Sequence, residues 1–306
     1  MRKNIAVLVV CSILLNQTLK AQYYYYNNKY LENAIVMELG GSFGVMNSLT
    51  DLGGKKGIGK NFIKDLRWQT ARPSYSIYAI GMYHNAIGVR LEGTFGSVVG
   101  YDSILKSVAS STGGRYERNL SFRSKVSDVQ LAFEIHPLFF KNYSDDDPPV
   151  FSPYGVLGVG YYSFNPEAKL NGQWYALQPL HTEGQGFREY REREPYKLSQ
   201  INFALGVGIK YEVNSMINAR LEAVHRILRT DYLDDVSTTY IDPALFYNYL
   251  SPTRAALAQQ LYSRRHELNP SDAPPSSGDQ RGDPKDNDAF FTIQLKVGFV
   301  LGRQRR

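Results

Sequence analysis

The side chains of this sequence that could do chemistry recur with a period of two. Glu38, Arg90, Glu92, Glu134, Lys210, Arg220, Glu222, Arg226 and Lys296 each sit in a run whose alternate residues are apolar. In an extended chain these nine would all point away from the apolar side. Acids and bases enclosed on one face must pair, because an unpaired buried charge costs several kcal/mol. The set therefore predicts a salt-bridge network that fills an interior; a path for protons or solutes through the same groups is the alternative.

Other chemistry has less support. The five histidines, His84, His136, His181, His225 and His266, show no i, i+2 or i, i+4 pairing, so no metal site is expected. His225 falls by parity on the apolar face, where a lipid hydrolase would need a serine close by, and its strand offers none. Gly54-Lys55-Lys56-Gly57-Ile58-Gly59-Lys60-Asn61 approaches a phosphate-binding loop, but Asn61 stands where a magnesium-binding hydroxyl belongs and no parallel strand precedes it. The turn Asp145-Asp146-Asp147-Pro148-Pro149 could hold calcium, and a solvated turn is the simpler reading. No catalytic, cofactor or metal residues are assigned.

The elements that must carry the charged set are long strands. Residues 198–228 form two alternating segments joined by Glu212-Val213-Asn214-Ser215, with Ile201, Phe203, Leu205, Val207 and Ile209 apolar in the first and Leu221, Ala223 and Ile227 in the second. Segments of this length exceed the usual 5 to 6 residues of a soluble strand and suit a membrane-spanning one, which needs roughly 9 to 11. The same pattern appears at 34–46, 74–83, 86–98, 122–136 and 290–301, and a glycine-rich segment at 153–164, whose facing is ambiguous, completes eight strands. Links two, four and six are short, and links one, three, five and seven are long. The fold expected is an all-β, eight-stranded antiparallel transmembrane β-barrel with short periplasmic turns and four long extracellular loops, both termini being periplasmic.

Residues 1–21 read as a signal peptide, with Arg2 and Lys3 before an apolar run that is too short to span a bilayer. Residues 22–306 would then form one barrel domain in the cell outer membrane, with membrane lipid as its first partner. The only cysteine, Cys11, lies in the signal, so the mature chain has no disulfide framework. Removing Arg2, Lys3 and Lys20 lowers the net charge from +6 to +3, too small a balance to suggest nucleic acid as a partner. In the loops, Arg188 to Glu194 alternates in charge and reads as solvated and self-paired. A helix is expected from Ser251-Pro252, capped by the serine, to about Leu268. The stretch 269–288, rich in Pro, Ser, Gly and Asp, is expected to be disordered, within a long fourth loop of 230–288.

Glu38-Leu39-Gly40-Gly41-Ser42-Phe43-Gly44, then Leu52-Gly53-Gly54, Arg72-Pro73-Ser74-Tyr75 and Arg90-Leu91-Glu92 together resemble the PorG-like outer-membrane barrels of Bacteroidota, a group of unknown function tied to type IX secretion and gliding. The resemblance runs from about residue 34 to the end and implies a non-enzymatic structural or assembly component that anchors periplasmic ring proteins of the secretion machine. The long fourth loop departs from a compact member. A small passive channel, a surface-interaction barrel and, further off, a lipid-modifying enzyme are the alternatives.

Overall fold

The computed structural model describes residues 24–25, 30–52, 68–112, 114–141, 143 and 147–305. Apart from a two-residue strand, Tyr24–Tyr25, that pairs with Leu31 and Glu32, the strands are β1 (Tyr30–Leu49), β2 (Arg72–Tyr83), β3 (Ile87–Tyr101), β4 (Ser121–Ile135), β5 (Phe151–Ser163), β6 (Pro166–Leu170), β7 (Gln173–Ala176), β8 (Ser199–Glu212), β9 (Ile217–Ile227) and β10 (Ala289–Arg305). Eight of them, all but β6 and β7, form a closed antiparallel barrel: each pairs with the next, β10 returns to β1, and β3 to β4 completes the ring. Closure removes every unpaired backbone edge, as a strand structure in hydrocarbon requires.

Facing follows the alternation. Leu91, Leu131, Phe133, Leu157, Leu205, Leu221 and Leu295 point outward and are exposed, while Arg90, Glu92, Glu134, Arg220, Glu222 and Lys296 between them point inward and are buried. An apolar exterior around a charged interior is the reverse of a soluble barrel and is stable only in lipid. Exposed aromatics flank the belt, with Tyr83, Phe151 and Tyr211 toward the short turns and Tyr75 and Tyr161 toward the long loops. The protein is an integral outer-membrane barrel.

The links alternate as expected. Residues 84–86, 136–150 and 213–216 connect strand ends at one rim, and residues 50–71, 102–120, 164–198 and 228–288 connect strand ends at the other. We call the four long connections L1 to L4. The Gly54 to Asn61 motif, residues 1–21, Asp145 and Asp146 lie outside the described residues.

The loops form a folded cap, and here the sequence expectations need correction. The stretch 269–288 is held in place: Arg281 is buried and donates to Glu183 Oε1 at 2.8 Å and to the Asp235 carbonyl at 2.5 Å, and Thr239 bridges Gln280. Arg281, Gly282 and Asp288 are buried and fasten the stretch, while most of its other residues face solvent. Arg193, read as part of a solvated run, instead stacks on Tyr190 at 4.4 Å and donates to the Glu183 and Thr239 carbonyls at 2.8 and 3.0 Å, which ties L3 to L4. The helix spans Pro252–Leu261, shorter than expected, and Ser251 makes no side-chain cap bond. A hairpin in L3, β6 with β7, escaped notice because its strands have only 5 and 4 residues; Asn171 and Gly172, both at positive φ, make its two-residue turn.

Two apolar clusters support the cap. One, containing Met46, Leu52, Val98, Phe122, Tyr162, Leu233 and Phe290, closes the extracellular mouth where all four loops leave the barrel. The other packs the Pro252–Leu261 helix against Leu177, Leu180, Phe187 and Ile241.

Candidate functional site

The lumen brings the charged residues of six strands together. Arg90 from β3 is at its centre: Nη1 lies 2.6 Å from Glu134 Oε1 and 2.6 Å from Glu222 Oε2, and Nη2 reaches Glu222 Oε1 at 3.2 Å. Its Nε is 3.0 Å from Glu92 Oε2 without a hydrogen bond, so that contact is coulombic. Lys296 from β10 bridges Glu92 and Glu222 at 2.5 and 2.9 Å. Arg220 from β9 grips Glu38 with two donors, at 3.0 and 2.9 Å, and Glu134 with a third at 2.7 Å.

Neutral donors fill the remaining acceptor positions. Tyr78 and Asn218 donate to Glu38, both at 2.7 Å; Tyr154 donates to Glu222 at 2.9 Å and Ser76 to Glu92 at 2.6 Å. Space for the rings comes from inward glycines: a Cβ on Gly208 would collide with Tyr154, and one on Gly298 with the Glu38 carboxylate. Nearer the loops, Arg226 from β9 binds Asp128 of β4 at 2.7 Å, with Thr292 and Thr94 taking its other nitrogens.

All nine residues expected in the lumen are buried there. Eight of them form ion pairs; Lys210 instead lies 4.9 Å over the Phe139 ring near the periplasmic rim. Asp128 is the member that sequence reasoning missed. Its parity on β4 matches that of Glu134, and this was the available signal. With Asp128 counted, five acids face five bases, so the lumen is neutral as well as full.

A second constellation was not legible beforehand. Ser152 Oγ lies 3.1 Å from His136 Nδ1, and His136 Nε2 lies 3.1 Å from Glu134 Oε2, which is the order of a hydrolase triad. A serine nucleophile must meet its substrate, however, and all three groups are fully buried inside the wall, the imidazole stacked on Tyr154 at 4.8 Å. Glu134 is moreover committed to two guanidiniums. The trio ties the start of β5 to the network at the periplasmic end. His225 is half-buried at the opposite rim, across from Leu205 and Phe291.

Above the mouth, L3 and L4 are joined at Glu183. This buried carboxylate accepts the Ser237 and Thr238 N–H groups, both at 2.9 Å, as well as Arg281. Beside it Asp235 accepts Tyr196 Oη at 2.7 Å and Thr182 Oγ1 at 2.5 Å, and burial pushes its carboxyl up to about 6 although Arg281 is near. A cleft of about 960 Å³ opens among the loops, with Asp51, Arg118, His225, Arg281 and Asp288 on its walls.

No family model and no curated protein matches this sequence. Among solved structures, Ail, the attachment invasion locus protein of Yersinia pestis, is similar at 11% identity over 89% of this chain and 100% of that one, with a TM-score of 0.35. Neisserial surface protein A is similar at 8% identity, over 87% and 97%, with a TM-score of 0.35. The outer membrane protein OprG from Pseudomonas aeruginosa is similar at 11%, over 88% and 97%, with 0.36. The closed eight-stranded ladder and its lipid-facing belt, rather than these distant likenesses, assign the chain to the outer-membrane barrels.

Proposed function

We propose that this protein is a non-enzymatic scaffold of the outer membrane, which offers its rims, and above all its folded extracellular cap, as surfaces on which other molecules assemble. One observation carries this reading: the lumen is filled by a neutral, hydrogen-bonded charge network and its mouth is closed by an apolar cluster, so the barrel's interior is committed to holding the barrel together. Function then belongs to the rims, and the sequence invests heavily in one of them. L3 and L4, residues 164–198 and 228–288, build an ordered structure with its own apolar core, more than a solvated connection between strands needs.

The resemblance to PorG-like barrels supplies one class of partner, periplasmic ring proteins of a type IX secretion machine, which would dock at the short turns. The cap supplies the other, a surface partner. Photo-crosslinking residues placed at Val213 in a periplasmic turn and at Tyr247 in the cap, both exposed, separate the two in growing cells. Discrete adducts from Val213 assign the assembly role, adducts from Tyr247 the surface role. Their absence from both positions contradicts the scaffold.

A further inference from the structure

Loops L1 and L4 are fastened to each other by carboxylates. The Leu52 N–H donates to Asp234 Oδ2 at 3.0 Å and the Asp283 N–H to Asp51 Oδ2 at 2.7 Å. Within L4, Leu233 N–H donates to Asp288 Oδ2 at 2.8 Å and Val236 N–H to Asp234 Oδ1 at 3.0 Å. Asp231 joins this group: Ser237 hydrogen-bonds its carboxyl, yet its Oδ2 has no partner although the residue is only 9% exposed. Asp234 and Asp288 are more deeply buried still.

The surroundings do not neutralise these groups. Arg118, from the short helix of L2, lies near Asp51 and Asp234 but spends two nitrogens on Asp102, at 2.8 and 2.9 Å. Arg281 of L4 is engaged by Glu183 and Asp235. Glu183 from L3 and Asp283 from L4 add negative charge beside the cluster, the phenol of Tyr162 on β5 faces Asp288, and Arg115 of L2, His225 of β9 and Lys285 of L4 line the same cleft as Asp51 and Asp288. Among the described residues no ion pair reaches Asp231, Asp234 or Asp288, and no three acidic or histidine groups are placed to grip one metal ion.

Carboxylates buried without a cation to pair with are held toward their protonated form. Burial pushes Asp231 up to about 9, against the Ser237 hydrogen bond and with help from Asp51 and Asp234. Burial and then Asp51 push Asp234 up to about 8, and burial raises Asp51 to about 6 and Asp288 well above the usual range.

We infer that the extracellular cap is a proton-held clasp, in which L1 and L4 stay closed while the buried, uncompensated carboxyls of Asp231, Asp234 and Asp288 keep their protons and come apart when those protons leave. Each of these carboxyls holds its proton more tightly in the closed cap than the roughly 3.9 of a solvated aspartate. Closure is therefore fully favoured below about pH 4 and is lost progressively as pH rises to the closed-state value, about 9 for Asp231. One proton kept by the closed form and released by the open form makes opening about tenfold easier per pH unit across that window.

Hydrogen exchange of the full-length protein in detergent with a chelator, corrected for intrinsic exchange rates, reads this at the Leu52 and Asp283 amides, which donate between L1 and L4. Their protection should fall at least roughly tenfold from about pH 6 to about pH 9, with amides of the barrel strands unchanged. In Asp231→Asn, which imitates the protonated side chain, the fall should be less than about threefold, and Asp288→Asn gives an independent second case. A wild-type protection that is flat with pH would overturn the clasp, and so would variants that lose as much as wild type or are already unprotected at about pH 6. A calcium-dependent gain of wild-type protection at about pH 6 would also overturn it, in favour of a metal centre.

Discussion

Arg220→Ala should destabilise the folded barrel by about 3 to 5 kcal/mol, the cost of breaking a desolvated ion pair from one side. Arg220 is 1% exposed and supplies three hydrogen bonds to Glu38 and Glu134, so its removal leaves Glu38 with only Tyr78 and Asn218 as donors and takes one of two guanidiniums from Glu134. Urea unfolding of the protein refolded into bilayers measures the loss. The double variant Arg220→Met with Glu38→Gln removes one charge of each sign and should be less damaging than Arg220→Ala, because a buried pair is worth little against an uncharged replacement of similar size whereas a widowed charge is costly. A loss below about 1 kcal/mol for Arg220→Ala would mean that water reaches these groups and that the lumen is not the dry plug described.

Leu221→Arg should cost roughly 2 to 4 kcal/mol, and Ile227→Arg on the same face about 0 to 1. Leu221 lies mid-strand on β9, between Ile209 and Leu295 in register, and 56% of it is exposed on the outer wall; Ile227 ends the strand at the loop rim. The difference between the two reports depth in the bilayer, since chemistry and facing are shared. Equal penalties in urea titrations, or none at Leu221, would contradict the placement of the lipid belt.

The barrel was legible in the sequence because one physical constraint acts along the whole of each strand. Leu91, Leu131 and Leu295 meet lipid while Arg90, Gln130 and Lys296 meet the lumen, so a period of two survives without interruption, and the alternation of short and long links follows from the two rims. Strand ends were less clear. β1 runs on to Leu49 and β3 to Tyr101, beyond the lipid, where Met46 and Val98 turn from lining the wall to packing the mouth. The cap was nearly illegible, because its order comes from contacts between residues far apart in sequence. Arg281 with Glu183 and Leu52 with Asp234 leave no periodic trace, and polar residues that bind one another in a closed cap have the same composition as polar residues that bind water. The pairing of His136 with Ser152 was hidden for a related reason: the two residues stand 16 apart, just past the end of β4 and at the start of β5, and only the pairing of those strands brings them together.

The claim beneath the whole account is that the lumen is closed by its own side chains. Purified wild-type protein reconstituted into a planar lipid bilayer tests this most directly. With Arg90, Glu92, Glu134, Arg220, Glu222 and Lys296 bonded to one another and the mouth packed by Phe122, Tyr162 and Phe290, the protein should pass no stable unitary current. Long-lived openings of large, uniform conductance would contradict the filled lumen and make the protein a channel.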